Sequence, residues 1–226
     1  MKISVIVAAA GSSVRLGGDI NKPLLDLAGK SVVARSLDTF SETAAVEQII
    51  ITAAACDIEK ITAIAKDYPK VTDIVQGGDT RQQSVAKALA LVDEDSELVA
   101  VHDAARPLLS RVDWLYLLSA AANNGSVILA GPLVDSIKSC ARNMVCESLD
   151  RNKLVAAQTP QVFRRSYLVR AYEQAAKDNF SGTDDASLVE HLGIPVAVIM
   201  AKNANFKITY ADDLVLAEMI IKRRMG

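Results

Sequence analysis

The chain has 226 residues, half of them hydrophobic, so it can bury a sizeable core without structural metals or disulfides. Its formal net charge of −2 excludes a global positive field for binding nucleic acid or an anionic membrane. Aromatic residues make up only 4% of the chain. A core rich in Ala, Val, Ile and Leu favours a buried parallel sheet flanked by helices over an all-β sandwich.

The three cysteines, Cys56, Cys140 and Cys146, have neither C-x-x-C spacing nor clustered histidines. We interpret them as reduced thiols of a cytoplasmic protein, and we expect no structural metal site. The apolar start, with Ile3–Val7, superficially resembles a signal peptide, but it continues directly into a charged segment, as a first buried strand does. No apolar run reaches the length needed to span a bilayer, so we expect a soluble protein.

Short β-branched runs alternate with longer helical patterns before Gly131. This alternation predicts an α/β fold, a mostly parallel, Rossmann-like sheet with right-handed crossovers and helices on its faces. The predicted strands are Ile3–Val7, Gln48–Thr52, Val71–Val75, Leu98–Val101 and Val127–Ala130, and the predicted helices are Val32–Phe40, Ile58–Ala65, Gln82–Leu91 and Asp113–Asn123.

The alternation of predicted strands and helices is interrupted after Gly131-Pro132. Val134–Lys138 and Val145–Leu149 are interpreted as two strands whose connection is too short to carry a helix, which predicts a protruding β-hairpin. The absence of repeats and linkers predicts a single α/β domain over residues 1–226, with a hairpin arm at about 132–155.

The α/β pattern resumes beyond the arm. We expect a helix over Ser166–Lys177 and a strand over Val196–Met200. A last helix is predicted to start near Thr209, where Thr209-x-x-Asp212 has the spacing of a capping box.

The loop after the first strand combines small residues with two cations. Ala8-Ala9-Ala10-Gly11 lets backbone N–H groups approach phosphates, and Arg15 and Lys22 follow on the same loop. Neither G-x-G-x-x-G nor a complete P-loop is present, since Leu24 stands where the first P-loop glycine belongs. The alternative interpretation is a tight turn with solvated cations.

Two further loops carry polar residues after predicted strands. Gly77-Gly78-Asp79 is followed by Ser84 at the start of a helix, although Asp79 alone could be a helix N-cap. Asp103, in His102-Asp103-Ala104-Ala105-Arg106-Pro107, ends an apolar strand, where a cation bridging phosphates needs an oxygen ligand. The alternative for Asp103 is a structural ion pair with Arg106.

Four later segments are weak signals one by one. A lone Arg or Lys is usually solvated, and Thr183 with Asp184 could merely begin a helix. His191 has no catalytic neighbours in sequence and is interpreted as structural. The segments are Asp150-Arg151, Thr159-Pro160-Gln161, Thr183-Asp184-Asp185-Ala186-Ser187 and Asn205-Phe206-Lys207-Ile208-Thr209.

Taken together and in this order, the motifs resemble those of the cytidylyltransferases of the 2-C-methyl-D-erythritol 4-phosphate pathway to isoprenoids. The resemblance extends from Ala8 to Glu218. It implies a nucleotidyltransferase fold, transfer of CMP from CTP to 2-C-methyl-D-erythritol 4-phosphate, and Mg²⁺ as cofactor. It also implies a homodimer whose subunits exchange their arms.

The resemblance also implies roles for individual residues. The nucleotide would be held by Ala8, Ala9, Ala10, Gly11 and Ala104, with Gly78, Asp79 and Ser84 reading cytosine. Arg15 and Lys22 would stabilise the charge of the transfer, and Asp103 would orient Mg²⁺. The acceptor would be held by Ser136, Arg151, Thr183 and Lys207. Of these, Arg151 would come from the partner subunit. Arg151 and Lys207 would also be catalytic, like Arg15 and Lys22.

Two departures from the family pattern concern the acceptor more than the chemistry. Pro23 follows Lys22 where the family commonly has Gln, and Lys-Pro is frequent in enzymes that activate sugars. Phe206 replaces the usual Ile. A ribitol 5-phosphate cytidylyltransferase is a close alternative, but Ala105 favours the isoprenoid acceptor; a sugar-phosphate nucleotidyltransferase and a catalytically silent nucleotide-binding regulator are the others.

Overall fold

The structure is a computed structural model that describes residues 1–11 and 21–225. The described strands fall into one large sheet, one short antiparallel pair and one hairpin. In chain order they are β1 (Ile3–Ala9), β2 (Asp26–Leu27), β3 (Lys30–Ser31), β4 (Val46–Ala53), β5 (Val71–Gln76), β6 (Leu98–Asp103), β7 (Ser126–Gly131), β8 (Ile137–Ala141), β9 (Met144–Leu149), β10 (Ala156–Arg164) and β11 (Ala197–Met200).

Helices cover both faces of the large sheet, because its strands are apolar on both sides. One face packs against α1, α2 and α4, and the other against α3, α5 and α6. The helices are α1 (Val32–Ser41), α2 (Ile58–Ala65), α3 (Arg81–Leu89), α4 (Arg111–Asn124), α5 (Arg165–Lys177), α6 (Asp185–His191) and α7 (Ala211–Met225).

The strand order in the large sheet is β11-β7-β10-β6-β1-β4-β5. All neighbours pair in parallel except β10, which runs antiparallel to both β6 and β7. The chain leaves β1 toward β4 and β5 and then returns to its other side with β6. Open α/β sheets bind ligands at such a reversal, outside the carboxyl ends of the strands.

The predicted α/β fold, with its mostly parallel sheet, is confirmed. The sequence interpretation omitted β10, because Pro160 lies inside it and proline normally argues against a central strand. An irregular register between Ala157 and Gln161 in the pairing with β7 accommodates the proline. Helix α6 was considered only as the alternative interpretation of Thr183 with Asp184. The helix is present, and Asp184 caps it in a capping box with Ser187.

Two other boundaries differ from expectation. The first arm strand begins at Ile137 instead of Val134, and Arg142 and Asn143 form a tight turn with φ values of 50° and 64°. The proposed Thr209–Asp212 capping box is wrong. Helix α7 begins at Ala211, and the Asp213 carboxylate accepts hydrogen bonds from the backbone N–H groups of Thr209 and Tyr210.

The arm, formed by β8 and β9, stands apart from the large sheet, and every residue of β9 is exposed. Among the described helices, none combines the length and the apolar character that crossing a membrane requires.

Candidate active site

Three loops meet at the carboxyl edge where the strand order reverses. Register places Ala8 beside Thr52 on one side and beside Asp103 on the other. The backbone N–H of Ala104 donates to the carbonyl of Ala8 (3.0 Å), and that of Gly77 donates to the carbonyl of Ala53 (2.9 Å). The loops after β1, β5 and β6 are therefore fixed to one another by the sheet.

These loops enclose a cavity of about 400 Å³. It gathers most residues expected to hold a nucleotide, together with Asp103 and Lys207 from separate parts of the chain. The predicted residues that line it are Ala8, Ala9, Ala10, Gly11, Lys22, Gly78, Asp79, Ser84, Asp103 and Lys207.

Two neighbouring positions beside this cavity, Gly77 and Gly78, have no room for a side chain. A Cβ atom on Gly77 would overlap the Cβ of Ala10, and one on Gly78 would come within 2.6 Å of the Cβ of Gln83. The hydroxyl of Ser84 accepts from the Gly78 N–H (3.0 Å) and donates to the Thr80 carbonyl (2.9 Å). The side chain that caps α3 is Thr80 and not Asp79, in a capping box with Gln83.

Lys22 lies on the floor of the cavity. It opens a short 3₁₀ turn, Lys22–Leu24, in which Pro23 supplies a helical φ at the first turn. Lys22 lines the cavity and is only 7% exposed, so its side chain is largely removed from bulk water. Arg15, the other predicted catalytic cation of this loop, lies outside the described residues.

Asp103 is surrounded by cations. Its carboxylate accepts from Arg81 Nε (3.0 Å) and from Lys207 Nζ (2.8 Å), while Arg106 Nε lies 3.9 Å away. The expected alternative, an Asp103–Arg106 pair, is thus the weakest of the three contacts. Burial by itself raises the pKa of Asp103, but the charges of Arg81 and Lys207 outweigh burial and hold it well below its usual value.

A second cavity of about 290 Å³ lies on the other side of this cluster. Arg81, Asp103 and Lys207 line both cavities and form their common wall. Thr183, predicted to hold the acceptor, lines the second cavity together with other polar residues. These are Arg106, Gln158, Thr159, Gln161 and Asp184.

Sequence reasoning missed Arg81 and Asp185. Arg81 Nη2 donates to Asp185 Oδ2 (2.8 Å), and Asp185, which is fully buried, also accepts from the Tyr172 hydroxyl (2.6 Å). The available signal was the position of Arg81 between Gly78 and Ser84, a segment already assigned to nucleotide binding. Asp185 stood in one of the weak segments, but nothing in the sequence linked it to Arg81, because the two residues are 104 positions apart.

His102, one residue before Asp103, is fully buried and lines neither described cavity. Its Nε2–H is placed to donate to the Arg106 carbonyl (3.2 Å), and its Nδ1 to accept from the Thr159 hydroxyl (3.2 Å). Burial lowers its pKa to about 4, although the Asp103 charge opposes that shift. A neutral His102 therefore supports the loop that carries Asp103.

Not every predicted site residue is near the cavities. Ala104, expected beside the ribose, is buried in the core, and Ala105 lines the cavity in its place. Ser136 and Arg151 belong to the arm and line neither cavity within this one chain, where Arg151 donates to the Val134 carbonyl. Asn205, in the last of the four weak segments, donates to Gln158 and to the Thr159 carbonyl, so its side-chain amide supports the strand that carries Thr159.

The chemistry this arrangement supports is that of phosphate. Arg81, Arg106 and Lys207 lie around the deprotonated carboxylate of Asp103. Lys22 lines the larger cavity beside them, and such a group of cations can bind polyphosphate and stabilise charge on phosphoryl oxygens. Within residues 1–11 and 21–225, no group of three His, Cys, Asp or Glu side chains is placed to hold a metal by itself. Asp103 fits the less demanding role of Mg²⁺ ligand beside substrate phosphates, since Mg²⁺ commonly takes one or two carboxylates.

Comparison with known proteins gives a consistent result over nearly the whole chain. The sequence model of a family described as IspD, 2-C-methyl-D-erythritol 4-phosphate cytidylyltransferase, matches residues 3–223. A relative of that name from Symbiobacterium thermophilum is 46% identical over 97% of this chain and 93% of its own length. One from Pelotomaculum thermopropionicum is 39% identical over 100% of this chain and 96% of its own.

Solved structures similar to this chain carry names of the same enzyme family. The crystal structure of 4-diphosphocytidyl-2C-methyl-D-erythritol synthase from Anaerococcus prevotii has a TM-score of 0.87 and 30% identity, and the match covers 98% of this chain and 99% of that one. The 2-C-methyl-D-erythritol 4-phosphate cytidylyltransferase of Francisella tularensis has a TM-score of 0.83 and 30% identity, with 97% and 99% covered.

Proposed function

Since this chain belongs to the 2-C-methyl-D-erythritol 4-phosphate cytidylyltransferase family, we infer that it transfers CMP from CTP to 2-C-methyl-D-erythritol 4-phosphate. The products are 4-diphosphocytidyl-2-C-methyl-D-erythritol and pyrophosphate. One observation carries the inference from geometry: two cavities share a wall made of Arg81, Asp103 and Lys207. Two phosphorylated substrates can therefore meet at one cluster of charge.

The nucleotide is assigned to the larger cavity. We assign the phosphates to the backbone groups of Ala8–Gly11 and the base to Gly78, Asp79 and Ser84, all of which line this cavity. Ser84 already orders the backbone of this wall through its contact with the Gly78 N–H. A pocket that hydrogen-bonds one base edge leaves polar groups unpaired when another base enters, and this discriminates strongly.

The transfer needs no general base. An acceptor phosphate oxygen, already ionised at neutral pH, attacks the α-phosphorus of CTP in line, the P–O bond to the β-phosphate breaks, and pyrophosphate leaves. Lys22 and Arg15 stabilise the charge that develops on the phosphoryl oxygens. Lys207 lies on the shared wall, 2.8 Å from Asp103, and positions the incoming phosphate.

We assign Mg²⁺ to Asp103, whose lowered pKa keeps it an anionic oxygen ligand. When bound, the ion supplies charge neutralisation on the triphosphate. Arg81 Nε holds Oδ1 of Asp103, whereas Oδ2 is held by Lys207, whose side chain is more exposed than that of Arg81 (41% against 28%).

We further propose that the chain acts as one domain and assembles as a homodimer through the arm. The arm exposes apolar side chains, with Met144 71% and Val145 66% exposed, and an isolated two-stranded hairpin is marginal in water. Packing against a second copy would bury this surface. Arg151 and Ser136 would then reach the partner's acceptor cavity, which Thr183 lines in each subunit. The three exposed free cysteines support a reducing compartment, the cytoplasm.

Complementation tests the arm exchange. Arg15→Ala and Arg151→Ala chains are unfolded together and refolded as a mixture, in which random pairing makes about half of the dimers mixed. If Arg151 acts across the dimer, each mixed dimer has one intact site, and about a quarter of the wild-type activity returns. Activity no greater than the sum of the separate variants, with mixed dimers verified by mass, contradicts the exchange.

The function itself is tested by pyrophosphate release over a matrix of the four NTPs and several acceptors. We expect release with CTP and 2-C-methyl-D-erythritol 4-phosphate alone. Release with ribitol 5-phosphate or a sugar phosphate instead would reassign the acceptor. Absence of release with every pair would favour a nucleotide-binding regulator.

A further inference from the structure

The first turn of α3 is joined to the start of α6 and to the segment before it by three hydrogen bonds. Arg81 Nη2 donates to Asp185 Oδ2 (2.8 Å), and Gln82 Nε2 donates to the Phe180 carbonyl (3.2 Å). The Gly182 N–H donates back to Gln82 Oε1 (3.1 Å). These contacts bridge about a hundred residues of sequence, from the wall of the nucleotide cavity to the segment that carries Thr183.

Arg81 makes a second connection through another nitrogen of its guanidinium group. Its Nε donates to Asp103 Oδ1 (3.0 Å) while Nη2 holds Asp185. A planar guanidinium can hold two carboxylates in fixed directions, whereas a lysine ammonium is a single point charge on a flexible stem. Asp185 is itself fixed, since it is fully buried and bound to the Tyr172 hydroxyl.

Side-chain hydrogen bonds connect the N-terminal end of α3 to the nucleotide cavity. The Thr80–Gln83 capping box holds its backbone, and Ser84 ties the same turn to Gly78 in the nucleotide cavity. A ligand that fixes the Gly78–Ser84 turn therefore also fixes the direction in which Arg81 points. Through Asp185 and Gln82, that turn is attached to the segment beside Thr183.

We propose that Arg81 is a positioning residue that couples the two substrate cavities, so that occupation of the nucleotide cavity increases affinity for the phosphorylated acceptor. The inference rests on the proposed function for the identity of the two ligands. Arg81 acts by fixing the positions of Asp103 and Asp185 relative to each other, while Gln82 adds a second connection between α3 and the segment before α6. Because coupling between two binding sites is reciprocal, the acceptor increases affinity for the nucleotide by the same factor.

The test is calorimetric and does not depend on turnover. The dissociation constant of 2-C-methyl-D-erythritol 4-phosphate is measured with and without saturating α,β-methylene CTP and Mg²⁺. For the wild type we expect at least about fivefold tighter acceptor binding in the ternary complex, the lower range of measured couplings. In Arg81→Lys the ratio of the two acceptor dissociation constants should fall toward one, because a point charge on a flexible stem cannot hold two carboxylates in fixed directions. The ratio is measured at a saturating concentration of the analogue determined for each variant, so a change in affinity for the analogue alone does not affect it. Gln82→Leu, which removes both Gln82 contacts, should lose part of the coupling.

Arg111→Lys is the matched control, because Arg111 is also the first residue of a helix, α4, and lines neither cavity. It should keep the wild-type ratio. A wild-type ratio near one, or an unchanged ratio in Arg81→Lys, contradicts the coupling while leaving the proposed function intact. Failure of the wild type to bind the acceptor under either condition would contradict both.

Discussion

Burial of a neutral histidine gives this protein a specific sensitivity to acid. His102 is fully buried between Phe40, Thr159 and the Arg106 carbonyl, and its pKa is lowered from 6.5 to about 4. In the unfolded chain the imidazole binds a proton near its ordinary value. As the pH falls below 6.5, the unfolded chain binds a proton at His102 and the folded protein does not. The free energy of unfolding therefore decreases until the pH reaches the pKa of His102 in the folded state.

The size of this effect follows from the two pKa values. Each pKa unit is worth about 1.4 kcal/mol, so the difference between 6.5 and about 4 amounts to about 3.5 kcal/mol once both states are protonated. At pH 5 the linkage relation gives a loss of about 2 kcal/mol relative to pH 7. Carboxylates have ordinary pKa values near 4, so the window between pH 7 and pH 5 mainly reports histidine.

Urea unfolding at pH 7 and pH 5, at one fixed protein concentration, measures this loss. Between pH 7 and pH 5 the free energy of unfolding of the wild type should decrease by about 2 kcal/mol. His102→Gln lacks the titrating imidazole, so nearly all of this decrease should be absent, whatever the stability of the variant at pH 7. His191→Gln is the matched control, since His191 is the other histidine of the chain and is partly exposed beside Asp178. An equal pH dependence in wild type and His102→Gln would refute the reasoning.

Three further predictions concern catalysis. Lys22→Ala and Arg15→Ala should each reduce kcat by about 10²–10³ with a smaller effect on CTP affinity; near-normal turnover at saturating substrates would remove that residue from the mechanism. Asp103→Asn should raise the Mg²⁺ concentration for half-maximal activity by more than about tenfold without altering the circular dichroism spectrum, and an unchanged titration would leave Asp103 a structural ion-pair partner. Ser84→Ala should narrow the preference for CTP over UTP in kcat/KM; if selectivity survives both Ser84→Ala and Asp79→Ala, the base is read elsewhere.

Much of the fold could be predicted because its signals are local. Alternating apolar strands and helical periods identify the parallel sheet, and small or acidic residues just after β1, β5 and β6 identify the edge at which ligands meet. Strand β10 was missed for an equally local reason, since Pro160 contradicts a central strand until the irregular register beside it is known.

The charge network could not be predicted in the same way. Arg81, Asp103, Asp185 and Lys207 come from four distant segments, and which cation contacts Asp103 depends on the distances between loops. Local spacing favoured Arg106 as its partner, although Arg81 and Lys207 lie closer. The role proposed for Arg151 requires a second subunit, which neither the sequence pattern nor the contacts within one chain describe.

Product identity in a direct competition tests the central claim most closely. The protein is incubated with CTP, Mg²⁺ and equal concentrations of 2-C-methyl-D-erythritol 4-phosphate and ribitol 5-phosphate, and the cytidine diphosphate products are separated and identified by mass and by ³¹P NMR. The account predicts 4-diphosphocytidyl-2-C-methyl-D-erythritol as the dominant product, formed in step with pyrophosphate. Dominant CDP-ribitol, or consumption of CTP without either diphosphate product, would contradict it.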